Sequence, residues 1–244
     1  MTNRRVVLRF KSFSSIPNLI HGFSTREFGS MRPCQDGSEI SLESFSKSLK
    51  INPQKIVSMH QVHSNNIAWV NYKDKGRRVD QTDGIFTSEK DLFLSILSGD
   101  CMPIFIYDTQ KKYVGVVHAG WRGIYNEILI KAIEELKAKG SETDDLIIGI
   151  GPCIRSCCYN VSKERTDMFT DKFPKAQSFL ENRKGKIFLD LVSIAKYQLQ
   201  EAGIPAENIE DCGICTSDNV DKFFSFRKEE DIFGEFIGII GRNA

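Results

Sequence analysis

The residues best suited to chemistry are one cysteine and two histidines, His63, Cys101 and His118, each placed where an apolar run gives way to a loop. A thiolate and two imidazoles form an acceptable zinc set. Three protein ligands also leave the fourth position that a catalytic zinc keeps open. The chain has four histidines in all. His60 competes with His63, but residues three apart in an extended strand face opposite sides, so they share a metal only if the chain turns there. His63 is the preferred ligand, with His60 packed or supporting it. Cys101 and His118 also allow a metal-free reading, a thiolate nucleophile beside an imidazole base, with Asp83 or Asp100 as the nearby carboxylate. A lowered thiol pKa serves both readings alike.

Arg122 stands near the start of a helix expected from Ile124. Helix-start amides and a guanidinium together would suit phosphate or carboxylate. Arg26 and Arg227, each after a strand-like run, are further candidates. Trp121 could stack on a planar substrate, although core packing is the commoner role of an isolated tryptophan. Cys153, Cys157 and Cys158 follow Gly151-Pro152, and Cys212-Gly213-Ile214-Cys215 is a CxxC. A second metal site is possible there, but without a nearby histidine or a clear pairing buried free thiols are the commoner reading, since structural zinc needs four converging ligands. The zinc-deaminase signature needs a glutamate two residues after a ligand and then Pro-Cys-x-x-Cys. Here Cys157 follows Pro152-Cys153 one residue too late, and no glutamate stands two residues after any histidine. That argues against a cytidine-type deaminase.

Short apolar runs bounded by turn residues predict the strands that deliver these side chains: Leu92 to Leu97 ahead of Cys101, and Tyr113 to Val117 ahead of His118. Further strands are expected at Arg5 to Phe10, from Ile20, at Lys55 to Met59, at Ile67 to Val70, from Asp83-Gly84, at Leu146 to Ile150, at Phe223 to Phe226 and at Glu235 to Ile240. Residues 27 to 40 and 73 to 80 read as loop and polar turn. Ser41 is expected to cap a short helix with Leu42, Phe45 and Leu49 on one face. A helical period runs from Ile124 through Ile128, Leu129, Ala132, Ile133 and Leu136 to a stop at Gly140. Ser162 caps a helix to about Phe173, and Asp190 caps another that ends at Gly203-Ile204-Pro205. Strands outnumber helices and do not alternate strictly with them, which predicts an α+β fold with mixed sheets flanked by helices.

With 244 residues and a net charge of +1, the chain can bury a sizeable core and has no general pull toward nucleic acid or membrane. No apolar run approaches the roughly 20 residues that span a bilayer. Met1 to Arg5 is basic but lacks the apolar region of a signal peptide. The odd count of seven cysteines in a long chain argues for reduced thiols and a cytoplasmic protein.

Several blocks in fixed order carry a resemblance: Gln61-Val62-His63, Asp83-Gly84, Asp100-Cys101-x-Pro103, His118-Ala119-Gly120-Trp121-Arg122-Gly123, Gly151-Pro152 with Cys157-Cys158-Tyr159, and Phe223-Phe224-Ser225-Phe226-Arg227. The HAGWRG block is the most specific. The chain resembles the laccase-domain family, long labelled polyphenol oxidase and regarded as purine nucleoside phosphorylases, and the likeness covers nearly all of residues 1–244. It implies a single domain related in fold to the cytotoxic necrotizing factor catalytic domain. It also implies a zinc held by His63, Cys101 and His118, with phosphorolysis of adenosine, inosine and methylthioadenosine, and adenosine deamination. Phosphate would meet Arg122, with Arg26, and Asp83 or Asp100 would move a proton. Copper in place of zinc, with polyphenol oxidase chemistry, is the weaker expectation, because four histidines are few for a multicopper cluster. Ser24-Thr25-Arg26 matches the family's early motif, but Glu27-Phe28-Gly29-Ser30 departs from its glycine-rich continuation. Phe233-Gly234-Glu235 stands where Thr-Gly-Arg is usual.

Overall fold

The computed structural model describes residues 5–32, 36–230 and 234–244. Phe233 and the middle of the expected 27–40 loop lie outside the described residues. The chain begins with β1 (Val7–Leu8), α1 (Lys11–Ser14), β2 (Leu19–Ser24) and α2 (Ser38–Leu49). Ser41 does not cap α2. Gly37, at φ 82°, is the N-cap, and the Ser41 hydroxyl donates to its carbonyl from inside the first turn. Then come β3 (Ile56–Met59), β4 (Ile67–Trp69), β5 (Arg78–Val79), β6 (Gly84–Thr87), β7 (Phe93–Ser98), β8 (Met102–Asp108) and β9 (Val114–Ala119).

The helix expected from Ile124 is two helices, α3 (Trp121–Tyr125) and α4 (Ile128–Ala138). They are broken where Glu127 takes a left-handed φ of 59°. The apolar face survives the break, since Ile124, Ile128, Leu129, Ala132, Ile133 and Leu136 are all buried. β10 (Leu146–Ile150), β11 (Asn160–Val161), α5 (Lys163–Lys172), β12 (Leu180–Arg183) and β13 (Lys186–Leu189) follow. α6 (Leu191–Glu201), β14 (Ile209–Asp211), α7 (Phe226–Glu229) and β15 (Phe236–Arg242) complete the order. Phe223 to Phe226 is not a strand. Phe223 and Phe224 are buried from an irregular segment, and Ser225 caps α7 by accepting the Lys228 amide. Burial of an apolar run needs no ladder when a turn can aim it inward.

Two six-stranded sheets form the body, in the orders β1-β2-β15-β7-β3-β5 and β14-β10-β8-β9-β6-β4. A small sheet, β11-β13-β12, sits apart from them. Strand alternation assigns the layers. In β8, Phe105 and Tyr107 join Phe23, Leu94 and Ile240 in a core shared by the two large sheets. Ile104 and Ile106 of the same strand face the opposite way, onto α4 and α6. On the far side of the first sheet, Ile237 and Ile239 of β15 pack on Phe45 and Leu49 of α2. The result is a single-domain α+β sandwich, helix on sheet on sheet on helices. At its centre Phe23 and Phe105 stack with centroids 4.5 Å apart. Gly238 makes room for that pair, because a Cβ there would come within 2.5 Å of the Phe23 ring.

Candidate functional site

Three chain segments meet at one end of the two-sheet core. Val116 of β9 points between the sheets, and so does His118, two residues on. Cys101 lies in the tight β7–β8 turn, where Asp100 takes φ 132°. His63 sits in the loop after β3 with φ 60°. That loop is clamped by Gln61, whose side chain accepts the Leu97 amide and donates to the Leu97 carbonyl, both at 2.9 Å. The ligand atoms of His63, Cys101 and His118 all lie within 4.8 Å of one another. Cys101 Sγ is 3.6 Å from His63 Nε2, and the two imidazoles meet edge to face with centroids 4.8 Å apart. Gly120 has to lack a side chain, since a Cβ would come within 2.9 Å of the Cys101 sulfur.

Asp83 is the hub behind this group. Its fully buried carboxylate accepts from the backbone amides of Val62, His63 and Ser64, from the Ser64 hydroxyl, and from His118 Nδ1 at 2.8 Å. Burial alone would raise its pKa; the hydrogen bonds from His118 and Ser64 outweigh that and hold it down at about 2. The His118 bond fixes the tautomer and leaves Nε2 for the cavity. Cys101 is likewise pushed up by burial, and the neighbouring His118 more than reverses this, to about 6. Burial opposes the imidazolium of His118, but Cys101 and Asp83 draw it well above its ordinary range. A thiolate, two oriented imidazoles and a buried carboxylate behind one of them fit the donor set of a tetrahedral zinc with one position open.

These residues stand at the foot of a cavity of about 580 Å³. Arg122 and Arg227 line it, together with Arg78 and Arg165, which sequence reasoning did not single out. Arg78 lies in the stretch read as a polar turn, and Arg165 in the polar first turn of a capped helix, so neither had a local signal. Arg122 and Arg165 cover the Trp121 ring, their guanidinium carbons 4.6 and 4.2 Å from its centroid. Trp121 therefore both packs on the helical core and walls the cavity. Arg122 stands in the first turn of α3, which is barely more than one turn long. The guanidinium itself has no hydrogen-bonding partner among the described residues. Arg227 Nη1 donates to the Asn160 carbonyl at 3.0 Å and to Asn160 Oδ1 at 2.8 Å.

Three expected residues take other positions. Arg26 does not line the cavity; it pairs with Glu229 at 2.7 Å and lies over Phe224. Asp83 is sealed behind His118 and is not in the cavity wall. Asp100 borders the cavity, but its carboxylate accepts from the Thr216 hydroxyl and the Arg227 amide, both at 2.6 Å, and burial raises its pKa. Glu235 also lines the cavity, its carboxyl raised by burial against the opposing pull of Arg32 and His118. The remaining histidines are elsewhere. His21 is buried and accepts the Phe10 amide, and exposed His60 pairs with Asp80 at 2.7 Å.

The sequence pattern of the family described as "Multi-copper polyphenol oxidoreductase laccase" matches residues 34–243. Purine nucleoside phosphorylase YlmD of Bacillus subtilis is 32% identical over 198 residues, 77% of this chain and 71% of that protein. Purine nucleoside phosphorylase SERP0752 of Staphylococcus epidermidis is 34% identical over 190 residues, 75% of this chain and 71% of that protein. The crystal structure of YlmD from Geobacillus stearothermophilus superposes with a TM-score of 0.91 at 26% identity, covering 100% of this chain and 98% of that one.

Proposed function

Since the chain belongs to the multi-copper polyphenol oxidoreductase laccase family, and relatives in that comparison bear the name purine nucleoside phosphorylase, we propose that it is a zinc-dependent purine nucleoside phosphorylase. Adenosine, inosine and methylthioadenosine are the substrates proposed, with adenosine deamination as a second activity. One observation carries the reading: a three-ligand metal set at the foot of a cavity walled by four arginines. His63, Cys101 and His118 would hold the zinc, which when bound supplies Lewis acidity or an activated water at its open position.

The arginines supply what phosphorolysis needs from the protein. Arg122, at the cavity wall with no hydrogen-bonding partner among the described residues, would hold inorganic phosphate, with Arg165 and Arg227 also lining the wall. A phosphate oxygen then attacks the anomeric carbon of the ribose as the bond to the purine nitrogen breaks. The electron pair leaves with the purine, which takes up a proton. Trp121, with Arg122 and Arg165 over its ring, and Tyr159 line the wall against which the planar base would lie. Asp83 acts by orienting His118 rather than by touching substrate. Copper oxidase chemistry fits less well, because only two of the four histidines reach the centre.

The product assay is decisive. Adenosine in phosphate buffer should yield adenine and ribose 1-phosphate, and without phosphate only inosine. Adenine and free ribose, formed at the same rate with or without phosphate, would contradict a phosphorylase. A second reading has one observation in its favour: Cys101, His118 and Asp83 are arranged as nucleophile, base and orienting carboxylate. Under that metal-free hydrolase or deamidase reading, chelation leaves activity intact and alkylation of Cys101 abolishes it.

A further inference from the structure

The thiols left over by the proposed reaction are not scattered. Cys157, Cys158, Cys215 and Asp218 place their ligand atoms within 4.8 Å of one another. Cys215 leaves its CxxC partner to do so. Cys212 packs toward the inter-sheet core instead, while Cys215 is buried beside Cys153. The 155–158 turn, closed by the Cys158 amide on the Arg155 carbonyl at 2.9 Å, presents both vicinal thiols to one side. Each donates to the same Asp218 carboxylate at 2.9 Å.

We propose that Cys157, Cys158, Cys215 and Asp218 form a second, structural metal site that takes zinc. Three sulfurs and one carboxylate oxygen complete a closed tetrahedral set, unlike the open three-ligand group at His63. Zinc displaces the two protons now shared with Asp218 and the third thiol proton, so binding releases protons. Exposed Cys157 and Asp218 give the ion a path from solvent. The consequence is positional. The Cys158 carbonyl accepts from Arg227, and Thr216, next to Cys215, donates to Asp100. The metal would tie together two segments that shape the cavity wall, whatever reaction runs there.

Cobalt(II) substitution tests this, because thiolate-to-cobalt absorption grows with the number of thiolates bound. In Cys101→Ala, which removes the first site, one cobalt should bind with the intensity of three thiolates. Adding Cys157→Ser and Cys158→Ser should abolish that band, and adding Cys212→Ser should leave it. In the wild-type background the same serine pair should lower bound zinc from two per chain to one, which keeps the test open if Cys101→Ala fails to fold. No thiolate band in Cys101→Ala, a band that persists in the serine pair, or Cys215 found in a disulfide by peptide mapping would each overturn the site.

Discussion

Five donors converge on the Asp83 carboxylate, and through them one residue sets the loop that carries His63 and the ring of His118 together. The neighbouring chemistry is divided among residues with single tasks. Arg122 has a guanidinium with no hydrogen-bonding partner among the described residues, at the rim of the cavity, so it is the cation most available to an incoming anion. Arg122→Ala should raise the Michaelis constant for phosphate by about tenfold to a hundredfold, the worth of one or two charge-assisted hydrogen bonds. The constant for the nucleoside should move far less. Arg122→Lys should restore little, because an ammonium lacks the planar fork. Equal changes in both constants would mean that Arg122 shapes the cavity instead of binding phosphate.

Between elements, the firmest polar link is Asp211 at the end of β14. Its carboxylate takes both Arg155 nitrogens and Lys196 of α6 at 2.7 Å, and the Gly213 amide at 3.0 Å. Burial pushes its pKa up, and Arg155 with Lys196 pulls it well below the usual carboxylate range. A depressed carboxylate stabilises the fold above its unfolded pKa, about 4, and that contribution fades as pH falls toward the folded value. Asp211→Asn should therefore cost about 3 kcal/mol near neutrality and about 1 kcal/mol less near pH 3, where only the upper part of the titration window has been crossed, read from urea midpoints. An equal loss at both pH values would rule out the ion pair as the cause. The sequence exposed the strands that deliver Cys101 and His118 because their apolar runs are short and cleanly bounded. It hid the β12–β13 hairpin, because Leu180–Arg183 is mostly polar and Lys186–Leu189 is too short a run to show a period, although Lys184-Gly185, both at positive φ, marks its turn. It also hid the break at Glu127, since the apolar period continues across it. Asp83 was visible as a carboxylate near the histidines. Its orienting of an imidazole was one of two options beside Asp100, and its hold on the His63 loop was not visible, because its partners are 19 to 35 residues away and no local period encodes such pairings.

The whole molecule explains why the centre can be rigid and open at once. Two sheets bury their shared face around Phe23 and Phe105, and the ligands hang from the end of that core, where strands stop and loops begin. Helices α3, α4 and α6 back the second sheet, and the segments bearing Arg122, Arg165 and Arg227 close over the end. Among the described residues no helix is long and apolar enough to cross a membrane. The central claim is that His63, Cys101 and His118 act as a metal centre for phosphorolysis and not as parts of a thiol triad. The most direct test is the rate of ribose 1-phosphate formation from adenosine in phosphate, measured on one preparation as zinc-loaded, chelated and zinc-restored protein. The account predicts a rate that falls to background on chelation and returns with zinc. A rate unchanged by complete removal of the metal would contradict it.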